Sequence, residues 1–472
     1  MSESKLGGKM TRPALLESTG AVAESIGAIL YGSGERPIRN VTIDSRTCGP
    51  GSLFVALPGE NTDGHRFVAD ALRAGAACAL IRSDWANRHR SMLEDVLVET
   101  EGAVCLVPDP LAGLQRLARL RLAALEGLTR IGITGSNGKT TTKELVASVL
   151  GRKARTFKTK GNFNSEIGIP LSVFEVEEGD EYGVFEMAMN HPGEMELLAE
   201  IVRPDIAVIT NIGTAHIGLV GSKDAIAQEK KAIFSRFDGS QTGFVYEAEP
   251  YRGELAADVS GSVMYFGPET TPDYEGAEPD GVGGSIIRWR GNEIHVPLPG
   301  EHNVRNALAA ISVGLHFGCT DDEIVRGLES VEAEFGRGEV IRGAVTIIQD
   351  SYNANADSML AAIRYVDGLA PSGGKKVLVL GAMYELGSYA AEHHLRVARA
   401  AAESSADVVI LFGEEFEQAA QELGGVFWTD DFESLRRGVA RRVSRGDLVL
   451  LKGSRGIRLE RLVSVLRGEE RG

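Results

Sequence analysis

The run Gly132-Ile133-Thr134-Gly135-Ser136-Asn137-Gly138-Lys139-Thr140-Thr141-Thr142 decides how the rest of the chain is read. Ahead of it lies a β-branched stretch, Thr129-Arg130-Ile131-Gly132-Ile133-Thr134, and behind it Leu145, Val146, Val149 and Leu150 recur at helical spacing. Strand, glycine turn and helix together make a phosphate cradle: backbone N–H groups turn onto phosphate oxygens and the helix N-terminus adds partial positive charge. Gly135, Ser136, Asn137 and Gly138 form its floor, Lys139 would reach the outer phosphates, and Thr140, with Thr141 beside it, would offer a hydroxyl to magnesium. The spacing departs from the common form, which places a glycine where this chain has Ile133, between Gly132 and Gly135.

At 472 residues the chain is too long for one ordinary core, and about 150 residues per domain gives three. A net charge of −16 argues against a nucleic-acid or anionic-membrane surface, so an anionic substrate must be held by local basic groups in a cleft. Cys48, Cys78, Cys105 and Cys319 are scattered with no C-x-x-C pair, which fits buried thiols rather than a zinc site. The opening ten residues lack the apolar core of a signal peptide, and no apolar run approaches a membrane span; a cytoplasmic enzyme is expected.

The pattern predicts an α/β protein of three domains. Residues 1–127 carry strands at Ser52–Leu57 and Cys78–Ile81 around a helix from Arg66 to Ala74, closed by a helix from Leu111 to Leu125. Its polar turns, Asp44-Ser45-Arg46 and Pro58–His65, are either ligand loops or ordinary capped loops. Residues 128–335 alternate strands and helices, implying a mostly parallel sheet with the phosphate loop at its carboxyl edge. Strands at Tyr182–Met187 and Asp205–Thr210 end near Glu186 and near Asn211 and His216, groups expected to converge on the same crevice. Lys230, beside Glu229 on an apolar-faced helix, reads as a solvated charge from the residues alone. Gly267–Ser285 reads as a surface loop or a poorly ordered insertion between hairpin strands, Arg290–Glu293 as a hairpin turn, and Pro299–Asn303 as the start of a long helix. Residues 336–472 repeat the alternation in a Rossmann-like unit, with strands at Val345–Ile348, Lys376–Leu380, Val408–Phe412 and Leu448–Leu451. Gly381-Ala382-Met383 lacks the further fingerprint glycines, so no dinucleotide is expected there.

The loops taken together resemble the Mur ligases, ATP-dependent amide-forming enzymes of peptidoglycan precursor synthesis. The resemblance rests on the Gly132–Thr142 run, Gly-Asn-Phe-Asn-Ser-Glu-Ile-Gly from Gly161, Glu-His-Asn-Val-Arg-Asn-Ala-Leu from Glu301, Asp-Ser-Tyr-Asn-Ala-Asn from Asp350 and Lys-Gly-Ser-Arg-Gly from Lys452. It implies a UDP-binding first domain, an ATP-binding second and an amine-binding third. The Asp350–Asn355 run further implies UDP-N-acetylmuramoyl-tripeptide and D-alanyl-D-alanine as substrates, with ATP and two magnesium ions as cofactors. By the same resemblance Ser45 and Arg46, with the Asp63–His65 loop, lie near the uridine diphosphate, and Asn162 and Asn164 near the substrate. Thr140, Glu186 and His216 match metal ligands, and Lys230 matches a lysine that is carbamylated to support the second metal. Asn303 matches an adenine contact, Asp350 a ribose contact and Arg337 a group near the γ-phosphate. Asn353, Asn355, Lys452, Ser454 and Arg455 face the amine and its carboxylate.

Three positions depart from the family pattern: Gln349 and Ala382, where an acid is usual, and Gly218, where relatives often carry an acid. Glu385 or Asp357 could substitute for the acid missing at 382. The expected chemistry is attack of a carboxylate on the γ-phosphate, then of the amine on the acyl phosphate, with the last domain closing to exclude water; Lys139 and Arg337, with magnesium held through Thr140, Glu186, His216 and carbamylated Lys230, meet the negative charge. A monomer is expected. Two alternatives stay open: a sibling ligase adding another amino acid, and a switch that hydrolyses ATP without ligating.

Overall fold

Strands whose alternate residues are apolar on both sides need cover on both faces, and the first sheet of this chain shows how that cover is arranged. The computed structural model describes residues 16–59, 62–371 and 373–468. They form two units: one of residues up to Arg130 with 157–187 and 196–204, the other of 131–156, 188–195 and the residues from Asp205 onward.

In the first unit the strands Ile29–Gly32, Ala103–Val107, Cys78–Arg82, Ser52–Val55 and Asn40–Thr42 lie side by side in that order. Only the first pair is antiparallel. Leu53, Val55, Leu80 and Cys105 face the Pro110–Ala123 helix through Leu114 and Leu117. Their neighbours Phe54, Ala79, Ile81 and Val104 face the opposite side, where Leu72, Leu93 and Val96 of two helices cover them. The period of two thus places one layer of helices on each face. The Tyr182–Glu186 strand, fully buried, also belongs to this unit.

In the second unit Thr129–Thr134 pairs in parallel with Ile206–Ile209 through Ile131–Thr134, and Thr242–Tyr246 and Ser262–Phe266 extend the sheet, again in parallel. A parallel sheet brings its strand ends, and the loops after them, to one edge, so the phosphate loop and Thr210-Asn211 emerge together. The stretch expected to be a surface loop is in part a strand: Tyr274–Pro279 pairs with Ser285–Trp289, which returns through the Arg290–Gly291 turn to Asn292–Val296. Its Gly, Glu and Pro conceal it because it is an edge strand whose outer face is solvated. Trp289, fully buried, fixes the hairpin by donating from Nε1 to the Pro272 carbonyl at 2.8 Å.

The last sheet runs Glu339–Ile341, Thr346–Asp350, Leu448–Lys452, Lys376–Gly381, Val408–Phe412, Phe427–Thr429, parallel after an antiparallel first pair. Val377, Val379, Ile410, Val449 and Leu451 form its core. Among the described residues no helix is long and apolar enough to cross a membrane.

Candidate active site

The phosphate loop owes its shape to two glycines. Gly135 has φ +148° and Gly138 φ +78°, and a Cβ would fall 1.8 Å from Thr210 Oγ1 at the first and 2.6 Å from Asn306 Oδ1 at the second. The loop is pinned from the neighbouring strand end: Ser136 N–H donates to the Asn211 carbonyl (2.9 Å) and Asn137 N–H to Asn211 Oδ1 (3.0 Å). Thr210 Oγ1 and Asn211 Nδ2 both donate to the Asn137 carbonyl, at 2.6 and 2.9 Å. Gly138 precedes the Lys139–Lys153 helix without any side-chain cap, so the first turn keeps its N–H groups for a ligand. Lys139 Nζ lies over the loop, donating to the Gly135 carbonyl at 2.9 Å. Thr140 Oγ1 is buried and has no hydrogen-bond partner among the described residues, as a hydroxyl meant for a metal would be.

Lys230 overturns the solvated reading. It is 1 % exposed on the helix Lys223–Lys231, which Ser222 caps through the Ala225 N–H. Burial pushes its ammonium pKa well down, and the Lys139 charge pushes it further, against an opposing pull from Glu229. An amine biased to its neutral form is a nucleophile, as reaction with carbon dioxide requires.

Beyond the Ile206–Ile209 strand, Gly213 N–H donates to Ser136 Oγ (2.8 Å), and Thr214 donates to Asp357 Oδ2 from both N–H (2.9 Å) and Oγ1 (3.0 Å). Asn355 caps the helix Ala356–Asp367 through Ser358 N–H, while its Nδ2 donates to Asn137 Oδ1 at 2.7 Å. His216, at φ +62°, places Nδ1 2.6 Å from Glu385 Oε2, and this contact holds the Glu385 carboxyl below its ordinary range. Asp357 and Glu385 are therefore both engaged with the loop after Ile209. Ala382 is wholly buried, its N–H bonded to Phe412 and its carbonyl to Ser454, so position 382 is part of the sheet's packing. The glycine at 218 has a steric cause as well: a Cβ there would come within 2.4 Å of Gly387 N. Gln349 is buried opposite Glu339 in the antiparallel pair.

Asp350 and Lys452 end adjacent strands in register. Lys452 Nζ, almost fully buried, lies 2.6 Å from Asp350 Oδ2 and 3.3 Å from the Asn353 carbonyl, tying three of the expected binding residues together. Ser454 Oγ accepts from Tyr384 N–H at 2.9 Å. Arg337 lies 3.8 Å from Glu334. Nearby, a cavity of about 540 Å³ opens at Gly300, Glu301 and His302, walled by Tyr246, Tyr274 and Tyr365. Asn303 itself is buried, donating to the Pro299 carbonyl at 2.8 Å and accepting from Asn306 at 3.1 Å.

In the first unit Glu186 is 1 % exposed at its strand end; its N–H donates to Thr159 Oγ1 (3.0 Å) and its Oε1 accepts from Asn164 (2.8 Å). Asn162 is exposed. Ser45 opens a short 3₁₀ turn, and Arg46, exposed, pairs with Asp44 at 2.7 Å, drawing the Asp44 carboxyl down to about 2. His65 is fully buried: Nε2 accepts from Arg82 N–H at 3.0 Å and Nδ1 lies 2.6 Å from Asp63, so this imidazole braces the loop. Glu60 and Asn61 of that loop lie outside the described residues, as do the first ten residues of the chain. Among the described residues no group of three or more His, Cys, Asp or Glu gathers as a metal cage. Sequence reasoning named Asp357 but missed Thr214 and the pairing between them, which joins positions far apart in the chain and has no local signal.

A phosphate loop at the edge of a parallel sheet, joined to strand-end carboxylates, lysines and asparagines of a Rossmann-like sheet, defines an ATP-using α/β enzyme. The chain matches the Mur ligase middle domain over residues 133–314, the Mur ligase glutamate ligase domain over 336–455 and the Mur ligase family catalytic domain over 37–121. It belongs to the Mur ligase family. It is 42% identical over 444 residues to the UDP-N-acetylmuramoyl-tripeptide–D-alanyl-D-alanine ligase of Treponema pallidum, covering 92% of this chain and 95% of the relative. The Bacillus subtilis ligase of the same name is 37% identical, covering 91% and 93%. Among solved structures it is similar to MurF from Acinetobacter baumannii (29% identity, TM-score 0.85, covering 95% and 98%). It is also similar to the Thermotoga maritima MurF ligase in complex with ADP (30% identity, TM-score 0.77, covering 91% and 97%).

Proposed function

We propose that this chain joins D-alanyl-D-alanine to UDP-N-acetylmuramoyl-tripeptide at the expense of ATP, in the cytoplasm, through an acyl phosphate. The observation that carries the reading is the bond from Asn355 to Asn137, which seats the end of the Asp350–Asn355 run on the phosphate loop. A ligase needs that adjacency, because the activated carboxylate must meet the amine before water does. A switch that only hydrolyses ATP would have no use for it.

In this reading the domains divide at 127/128 and 335/336. The adenosine end of ATP occupies the cavity at His302, with Asp350 at the ribose and the phosphates on residues 135–141. The tripeptide carboxylate attacks the γ-phosphate; Lys139 and Arg337 hold the charge that develops on the transferred group. The dipeptide amine then adds to the acyl carbonyl and phosphate leaves. Asn353, Lys452, Ser454 and Arg455 orient the amine and its carboxylate, and Ser45, Arg46, Asn162 and Asn164 serve the nucleotide-linked substrate. Thr140, His216 and carbamylated Lys230, with Glu186 added by the family resemblance, would hold magnesium, which neutralises phosphate charge when bound. The partnerless Thr140 hydroxyl and the buried amine of Lys230 fit that role.

Phosphate release from MgATP, with the two substrates supplied singly and together, tests the reading. Release only with both is the expected result. Release with the nucleotide substrate and a free amino acid would transfer the protein to a sibling reaction, and release with ATP alone would replace the ligase by a hydrolase.

A further inference from the structure

Tyr352, within the Asp350–Asn355 run, and three side chains beside it alternate in kind, ring and guanidinium. The Arg337 guanidinium lies 4.0 Å from the Tyr352 ring centroid; the Arg455 guanidinium lies 5.3 Å from the same ring and 5.7 Å from that of Phe335. Tyr352 is fixed to the chain segment bearing Phe335 and Arg337, because its N–H donates to the Gly336 carbonyl at 3.0 Å. Arg455 is exposed and has no carboxylate within ion-pair reach among the described residues, and Phe335 is a large aromatic left 55% exposed. Neither aromatic belongs to any binding role so far assigned.

A guanidinium resting on a ring is held through its flat face, and its N–H edge stays available. A carboxylate partner would use that edge and cancel the charge. In a chain of net charge −16 the distinction matters: the acid nearest Arg337, Glu334, stands 3.8 Å from its Nε, beyond hydrogen-bond reach, so it does not close the guanidinium edge. We infer that Tyr352 and Phe335 are positioning residues that hold Arg337 and Arg455 as a pair of edge-open cations, one for the γ-phosphate and one for the carboxylate of the incoming dipeptide. Tyr352 serves both arginines and so sets the spacing between the two anions; Phe335 serves Arg455 alone. The assignment of the two anions rests on the ligase reading above. The Tyr352 hydroxyl has no part in it.

Steady-state phosphate release with ATP, the nucleotide tripeptide and D-alanyl-D-alanine separates the roles. Tyr352→Leu is expected to raise the dipeptide KM and lower kcat, each by roughly 5- to 30-fold, the range for loss of one ring–cation contact. Phe335→Leu is expected to raise the dipeptide KM alone, and Tyr352→Phe to match the wild type. Calorimetry supplies a readout without turnover: the preference for AMPPNP over ADP falls in Tyr352→Leu and is kept in Phe335→Leu and Tyr352→Phe. Wild-type constants in Tyr352→Leu, or losses in Tyr352→Phe equal to those in Tyr352→Leu, would overturn the inference. Should Tyr352→Leu fail to fold, an unchanged dipeptide KM in Phe335→Leu would overturn it instead. If the wild type releases no phosphate with both substrates, the ligase reading falls, and the AMPPNP-to-ADP comparison still decides whether Tyr352 positions Arg337.

Discussion

Replacing Gly135 by alanine puts the phosphate-loop geometry to a direct test. At φ +148° a side chain costs about 1–3 kcal/mol in backbone strain alone. The new Cβ would stand 1.8 Å from Thr210 Oγ1, 3.1 Å from Thr210 Cβ and 3.2 Å from Asn211 N, so rotating one hydroxyl does not relieve it. Thr210 must turn away, and its 2.6 Å bond to the Asn137 carbonyl goes with it, a loss of about 1 kcal/mol. The free protein can shift the loop to escape these costs, but a bound nucleotide requires the loop back. The cost then appears in binding, as about 2–4 kcal/mol or roughly 30- to 1000-fold weaker MgAMPPNP affinity. Titration calorimetry measures it, with Gly253→Ala, whose Cβ meets nothing within 4 Å, as the control. Affinity within a factor of about three of wild type in Gly135→Ala would refute the argument, since no loop built as described could absorb the methyl group.

Lys230→Ala should lower turnover by roughly 100-fold or more, with partial recovery in formate or acetate, because the role proposed is that of a carboxylate; a variant that stays active without added anion would contradict it. Asp357→Ala removes both acceptor contacts to Thr214, a local loss of about 1.5–3 kcal/mol, and should lower the calorimetric Tm by about 3–8 °C, with Asp357→Asn retaining most of it. Burial holds the His394 pKa down, and its Nε2 accepts from Met383 N–H at 2.9 Å only while neutral. The stability it contributes is present above the unfolded value of about 6.5 and is lost as pH falls through the lowered folded value. The fall of Tm on acidification should therefore be shallower in His394→Leu than in wild type, and equal slopes would dismiss the histidine.

What could be read from the sequence was whatever repeats at short range. Parallel strands such as Val408–Phe412 and Leu448–Lys452 are continuous apolar runs, and the phosphate loop carries its own turn chemistry. Tyr274–Pro279 escaped because an edge strand needs no apolar pattern. Thr242–Tyr246 and Ser262–Phe266 escaped because neither is a continuous aliphatic run: Thr-Gly opens the first, and the second is an edge strand with alternating exposure. Lys230 and Lys231 look alike in the chain; only tertiary packing buries the first. The resemblance implied only a binding role for Asn355, whereas the structure gives it both a helix to cap and a bond to Asn137. The ring–cation series at Tyr352 joins four residues from three segments, and no window of sequence contains it.

The first turn of the Ala356–Asp367 helix touches the phosphate loop through Asn355 and the neighbouring Thr214 through Asp357, while Asn353, just before it, is tied to Lys452. In the proposed reading, selectivity for the acceptor and affinity for the nucleotide thus hang on one corner of the fold. Any drift in sequence that reshapes the acceptor pocket is transmitted to the ATP side within a few residues. In the proposed reading, directed changes of amine preference would therefore succeed more readily at the exposed Arg455 than at the Asn353–Asp357 corner, where each gain in new substrate would be discounted by a weaker hold on the old cofactor.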